Sequence, residues 1–310
     1  MISDISKDLK ISLIICTYNR DKYLPEALES IRMQTADSNV FQLIIVDNKS
    51  TDNTASIAKQ FIESNPQLNI KCALETNKGL SFARNRGIKE ADAPIIAYVD
   101  DDAILSPTYL EAMLKFFSAY PQAIGVGGKV IPKYEDGKEP AWMNKYLSGF
   151  VGKVDYGTAT KKYDADMKYP AGCNMTYKKD ILLKAGGFNN DLTFRSDDKY
   201  IFFKIKELSD EIYYVPDAYV HHYIDSHRLA FDNFKKLFLK TGSEEKIRIR
   251  LQQGNTGVIK KGIEFFIKCA ASILIWILFL CKGQNIKGKY VFLSQWFTLK
   301  GFFMKEVFVR

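Results

Sequence analysis

An alternation over residues 11–130 constrains this chain more than any other feature. Short runs of strand formers lie at residues 11–16, 41–46, 70–74 and 95–99. Stretches with apolar residues at helical spacing separate them. Leu24, Ala27, Leu28 and Ile31 fall on one side of a helix predicted over 23–33. Asp52 reads as the N-cap of a second helix through Ile57, Phe61 and Ile62. A third helix is predicted over 81–90. Pro107 reads as the first residue of a fourth, reaching Ala119. Residues 123–130 read as a further strand. Alternation of this kind implies right-handed crossovers and a mostly parallel sheet. The expected class is α/β, a Rossmann-like sheet flanked by helices.

In such sheets ligands bind beyond the carboxyl ends of the strands. Polar residues follow three of the runs: Thr17-Tyr18-Asn19-Arg20, Asp47-Asn48 and Asp100-Asp101-Asp102. Adjacent carboxylates repel and are best tolerated where a cation or a proton compensates them. A solvated acidic turn would explain the three aspartates alone. Convergence of all three groups on one rim favours a binding site.

The 310 residues suffice for one large domain, or for a domain with an appendage. The net charge of +8 is uneven. Residues 1–227 carry 28 basic against 31 acidic side chains, and residues 228–310 carry 16 against 5. A basic tail points to nucleic acid or to an anionic membrane surface. Apolar runs interleaved with the charges favour the membrane. The five cysteines form no CxxC pair and read as reduced, buried small hydrophobes. The start is polar (Ser3, Asp4, Lys7, Asp8), unlike a signal peptide. Residues 133–168 form a long irregular stretch, usually a mark of function or mobility. Residues 197–208 read as helix and 212–215 as strand, and a boundary is expected near residue 228.

Further pieces complete a pattern: Asn77-Lys78-Gly79-Leu80-Ser81-Phe82-Ala83-Arg84-Asn85, Gly187-Phe188, Asp197-Asp198 and Val215-Pro216-Asp217-Ala218. In this order, with the three rim groups, residues 10–228 resemble a family-2 glycosyltransferase of GT-A fold. The resemblance implies a nucleotide-sugar donor, a UDP-sugar by preference, and a divalent Mg²⁺ or Mn²⁺ on its diphosphate. A hard cation wants carboxylate oxygens. Asp100 and Asp102 match the two acids of the family's DXD motif. Asp102 is the expected metal ligand, Asp100 is expected to join it or contact the ribose, and Asp101 can do either. Asp47 is expected at the base or ribose. Asn48 departs from the family's usual acid there, and its amide can pair with a uracil edge. Thr17, Tyr18 and Arg20 form the first loop, where an aromatic ring can stack on the base. Arg84 is expected near the donor, or else as a solvated helix residue.

Asp197 and Asp198 match the acid pair that contains the family's catalytic base, with Asp198 in the base position. Inversion needs one carboxylate to take the acceptor hydroxyl's proton. Plain N-capping is the alternative for either residue. An Arg is common six residues beyond the base, where this chain has Lys204. The family's occasional third metal ligand selects His222, with His221 beside it. Trp142, Gly172 and Asn174 are expected at acceptor or sugar, although Trp142 also suits a core.

Residues 269–281 form an uninterrupted apolar run of 13 residues, short of the roughly 20 that a spanning helix needs. Glu264, Lys268 and Ser272 make a polar stripe at one end, and Lys282, Lys287 and Lys289 follow. A second apolar stretch covers 292–308, with Ser294, Thr298 and Lys305 near helical spacing. Helices lying on or dipping into anionic lipid fit this pattern. A buried helix pair and a short bilayer hairpin are the alternatives. The reading is an inverting glycosyltransferase at the cytoplasmic membrane face, peripheral or monotopic. Its acceptor is lipid-linked or a polysaccharide, and nucleic acid is not a partner. A sugar nucleotidyltransferase would carry a Gly-rich loop after the first strand, where this chain has Thr17-Tyr18-Asn19-Arg20. A non-catalytic sugar-nucleotide binder would have no need of Asp198.

Overall fold

The computed structural model describes residues 9–164, 167–192 and 196–304. The polar start at Ser3, Asp4, Lys7 and Asp8, and Lys305, lie outside the described residues. The elements run β1 (Ile11–Thr17), α1 (Leu24–Arg32), β2 (Phe41–Asp47), α2 (Thr54–Ser64), β3 (Ile70–Leu74), α3 (Leu80–Glu90), β4 (Ile95–Asp100), β5 (Ala103–Leu105), α4 (Tyr109–Ala119) and β6 (Gly125–Tyr134). There follow β7 (Lys161–Lys162), β8 (Met175–Lys178), α5 (Lys179–Lys184), α6 (Asp197–Lys206), β9 (Ile212–Ile224), α7 (Ser226–Leu229), α8 (Phe231–Cys281) and α9 (Asn285–Phe303). Residues 9–132, 152–192 and 197–223 form one compact unit, and residues 133–151 and 224–304 another.

The first unit is built on a mixed, mostly parallel sheet in the order β3-β2-β1-β4-β8-β6-β9-β5, with β7 paired to β9. β1, β2, β3 and β4 are mutually parallel where they pair. Helices cover both faces of such strands, so β1 and β2 read as near-continuous apolar runs. In α1, Leu24, Leu28 and Ile31 are fully buried at helical spacing. Each contributes roughly 1.5–3 kcal/mol by leaving water.

Three details differ from expectation. α4 begins at Tyr109, because Tyr109 N–H closes a turn onto the Ser106 carbonyl (3.0 Å) and leaves Pro107 outside the helix. β9 runs on through Pro216 to Ile224; proline lacks only its own N–H, and later residues pair with β5. Of the cysteines, Cys173 and Cys269 are buried, whereas Cys72 and Cys281 are exposed.

In the second unit α8 is 51 residues long and breaks at Gly254, whose φ of 64° and ψ of −165° are not helical. The halves of α8 lie on either side of that residue. α9 packs against the first half so closely that a Cβ on Gly242 would sit 2.0 Å from the Thr298 carbonyl oxygen. A Cβ on Gly301 would sit 2.0 Å from that of Leu239. Only hydrogen side chains allow this approach. Trp142 and Phe150 pack with Phe234 of α8 and Tyr290 of α9 in this unit's core.

Candidate active site

The register of the sheet assembles the rim. Thr17 pairs with Asp47 and Cys16 with Asp100, so the ends of β1, β2 and β4 are level. The chain then turns through Asp101 and Asp102 into β5, which pairs antiparallel with β9 and sets Ala103 opposite His222. Tyr223 N–H donates to the Asp102 carbonyl (2.8 Å). This ribbon brings His222 Nε2 to 3.2 Å from Asp102 Oδ1. Ligand atoms of Asp100, Asp102 and His222 all lie within 4.8 Å of one another. His222 is buried; His221 instead meets the Tyr219 ring.

Cations balance the acids. Arg20 Nε lies 3.4 Å from Asp101 Oδ1, and Nη2 lies 3.4 Å from Asp102 Oδ2. The Arg20 backbone is anchored by Thr54 Oγ1 (2.8 Å). Burial, and then the neighbouring Asp102, push the Asp101 carboxyl up to about 8; Arg20 and the Thr17 hydroxyl pull the other way. Crowded carboxyls of raised pKa beside an imidazole fit a hard divalent cation, which would relieve the crowding. Asp100, Asp102 and His222 are the side chains that would hold it.

Asn48 explains its own departure from an acid. Its Nδ2 donates to the carbonyls of Glu75 (3.1 Å) and Asn77 (2.7 Å), and its Oδ1 accepts from Gly79 N–H (2.8 Å). A carboxylate could accept from Gly79 but could not donate to two carbonyls. The amide thus ties the loop that leads into α3, and both its N–H groups are used within the chain rather than on a base edge. Asp47 Oδ1 accepts from Ser50 N–H (2.9 Å). Tyr18 is 38% exposed at the rim, with Lys78 Nζ 5.0 Å from its ring centroid.

Arg84 is 2% exposed, not solvated. Its Nη1 donates to Asp197 Oδ2, and its Nη2 reaches Asp100 Oδ1 (3.4 Å) and the Gly172 carbonyl (3.2 Å). Burial weakens its charge, but Asp197 and then Asp100 more than compensate and hold it protonated. Asp197 is itself buried at the start of α6. Asp198 Oδ2 accepts from Gly172 N–H (3.2 Å). A Cβ at Gly172 would meet Arg84 Nη2 at 2.6 Å, so the residue must be glycine for this contact.

Two expected acceptor residues sit in packing roles. Asn174 is fully buried; its amide donates to the carbonyls of Lys129 (3.1 Å) and Ala218 (2.9 Å) and accepts from Tyr109 O–H (3.0 Å). Trp142 lies in the core of the second unit, stacked on Tyr290 at 4.7 Å. Sequence reasoning assigned no role to Asn85. Its side chain holds both the Phe188 carbonyl (2.7 Å) and N–H (2.9 Å) in the turn before α6. Its place next to Arg84 was the available signal.

The sequence profile of glycosyl transferase family 2 matches residues 12–186, more than half of the chain. The chain is a family 2 glycosyltransferase. This glycosyltransferase is 26% identical over 234 residues to the glucosyl-dolichyl phosphate glucuronosyltransferase of Haloferax volcanii, covering 72% of each protein. It is 26% identical over 205 residues to the poly(ribitol-phosphate) beta-N-acetylglucosaminyltransferase TarS of Staphylococcus aureus. That match covers 63% of this chain but only 35% of TarS. Among solved structures, the mannosyltransferase PcManGT of Pyrobaculum calidifontis, in complex with GDP-Man and Mn²⁺, shares the fold at a TM-score of 0.63 and 16% identity, over 94% of this chain and 87% of that one. S. aureus TarS 1–349 in complex with UDP gives 0.54 at 17% identity, over 93% and 90%. The glycosyltransferase therefore has a GT-A fold.

Proposed function

We propose that the enzyme transfers a sugar, with inversion, from a nucleoside-diphosphate donor to a lipid-linked or polymeric acceptor at the cytoplasmic membrane face. The observation that carries this reading is the Asp100–Asp102–His222 cluster at the carboxyl rim of a parallel sheet. A divalent cation held there would neutralise the diphosphate as it leaves. Asp198 takes the acceptor hydroxyl's proton. The acceptor oxygen bonds to the anomeric carbon from the far side as the bond to the diphosphate oxygen breaks. A carboxylate near a helix N-terminus is favoured in its ionised form, as a base requires. Tyr18 offers a face for the nucleobase, and Asp47 an acceptor for ribose or base. UDP is the preferred nucleotide. Acceptors of the lipid-phosphate or polyol-phosphate kind are supported by the names of the relatives.

Lipid association rests on the second unit. The outer side of α8's second half exposes Ile263, Phe266, Ile267, Leu274, Ile277 and Leu278. Lys268 and Lys282 bound the apolar run. That run of 13 residues is about 20 Å long, less than a hydrocarbon core of about 30 Å. α9 is occupied on two sides, by Gly242 in the first half of α8 and by Trp276 in the second. The first half carries Lys235, Lys236 and Arg250 at its surface. By length and composition α8 is long and apolar enough to cross a membrane. The short uninterrupted run, the lysines at both its ends and the exposed Trp296 and Phe303 of α9 favour lying in the interface.

The test is Asp198→Asn in the full chain. Transfer should fall by about 10²–10⁴-fold with nucleoside-diphosphate affinity retained. Failure to fold would leave Asp198 a capping residue. A thermal-shift panel of nucleotide sugars with Mn²⁺ tests the donor. The largest rise is expected with a UDP-sugar, and a larger one with a GDP-sugar would overturn that preference.

A further inference from the structure

The structure assigns Arg84 as a positioning residue that locks the acceptor-side base Asp198 in register with the donor-side acid Asp100. This assignment rests on the reading of Asp198 as the base.

Arg84 is closed off from solvent. Its guanidinium carbon lies 5.4 Å from the Phe188 ring centroid and 5.9 Å from that of Tyr98, on one side of that edge-to-face pair. The Tyr98 hydroxyl also donates to the Arg84 carbonyl (3.2 Å), fixing the side chain's origin on α3. Both ends of the guanidinium are committed to protein. One end holds Asp197, and the other is shared between Asp100 and the Gly172 carbonyl. The same Gly172 donates its N–H to Asp198. A continuous polar chain therefore runs from Asp100 at the end of β4, through Arg84 on α3 and the backbone of Gly172, to Asp198 on α6. A buried arginine needs one carboxylate partner to be tolerated; this one takes two acids from separate elements. The planar fork makes that possible, since its donors diverge at fixed angles. Lysine would offer a single point charge and could not span the same partners.

The arrangement also divides the acid pair. Asp197 is turned inward onto Arg84, so it anchors the first turn of α6. Asp198 is left beside Gly172, with its position set by that anchor. Misplacing a reacting group by about 1 Å can cost about 10²-fold in rate. Loosening Arg84 should therefore slow the step that uses the base and leave the nucleotide's own contacts in place.

The experiment compares Arg84→Lys, Asp197→Asn and Gly172→Ala in the full-length enzyme with Mn²⁺. Affinity for UDP and for GDP is read by calorimetry, and kcat by nucleoside-diphosphate release with acceptor present. Each variant should lose about 10²-fold in kcat, with affinity for the better-bound nucleotide held within about threefold. Adding Arg84→Lys to Asp198→Asn should cost nothing further, because the first acts through the second. Nucleotide affinity falling in step with kcat would make Arg84 a donor-site residue and overturn the proposal. So would an unchanged kcat in the folded variants, or additive losses in the double variant. If Arg84→Lys does not fold, Asp197→Asn and Gly172→Ala carry the same test. Retained transfer in Asp198→Asn alone would sink the base assignment. Lost transfer there with full kcat in Arg84→Lys would sink only the coupling.

Discussion

The two units differ in what they show to solvent. In the sheet unit the interior is apolar, and the functional charges gather at one rim. In the helical unit Glu244, Glu245 and Arg248 are buried, with Arg248 held by both oxygens of Glu245 at 2.8 Å, while Ile, Leu and Phe side chains face outward. A buried ion pair of this kind is weak evidence for stability, since desolvation offsets much of the attraction. An outward apolar face is an equally poor choice in water. The outward face becomes reasonable if the surrounding solvent of that unit is partly lipid.

The contrast can be broken at several points. The largest effect is expected at the rim. Asp102→Ala should lower kcat/KM by about 10³-fold or more, the scale of several kcal/mol of lost charge stabilisation. Nucleoside-diphosphate release reports it. Activity near the parent's would mean that the buried acids are structural, and the rim would lose its distinction. Next comes the outward face. Leu274→Glu combined with Ile277→Glu should reduce partition onto anionic vesicles by at least about a hundredfold, since each apolar side chain is worth roughly 1.5–3 kcal/mol when buried. Activity on a soluble donor without lipid should stay as it was. Unchanged flotation would show that lipid is not what this face meets.

Packing inside the helical unit gives a smaller effect. Gly242→Val or Gly301→Val should cost about 1–3 kcal/mol or more by forcing the helices apart. Amide hydrogen exchange should quicken in α9 and leave β1 and β2 slow. Equal acceleration in both regions would mean that the units do not respond separately. The smallest effect is expected at the sheet's far end. Lys71 Nζ lies 2.6 Å from Asp92 Oδ2, and Gln42 donates to the same oxygen (2.9 Å). Lys71 first, opposed by burial, and then Gln42 hold the Asp92 carboxyl below its usual range. Its stabilisation is therefore present above the ordinary carboxylate range and is lost as pH falls below about 4. The pair is exposed and screened, so Asp92→Asn should cost no more than about 0.5 kcal/mol. Denaturant midpoints at pH 7 and pH 3 check this, and a larger loss at pH 3 would contradict the sign.

The sequence was most legible where one local rule decided the outcome. β1, β2 and β4 lie within a residue of the apolar runs, because strands covered on both faces need nothing else. The level ends of those strands followed from the same rule. The sequence was least legible where distant partners decide. β8 inserts between β4 and β6, and no feature of residues 175–178 announces that neighbour. Asn48, Asn174 and Trp142 each suit a ligand by chemistry, and only the arrival of Glu75, Ala218 and Tyr290 reveals what each one does. Burial of Arg84 was equally hidden, since its partners come from β4, α6 and the loop at Gly172.

His222 belongs to the last strand of the sheet, while Asp100 and Asp102 precede its second half. During synthesis the acids therefore emerge long before the imidazole that joins them. Until β9 pairs with β5, the nascent sheet carries a crowded negative rim with no third ligand. Contacts between such distant residues form late and slowly. A cation bound by the full set would stabilise only the finished sheet. Occupancy of that site would then report a completed, correctly registered sheet.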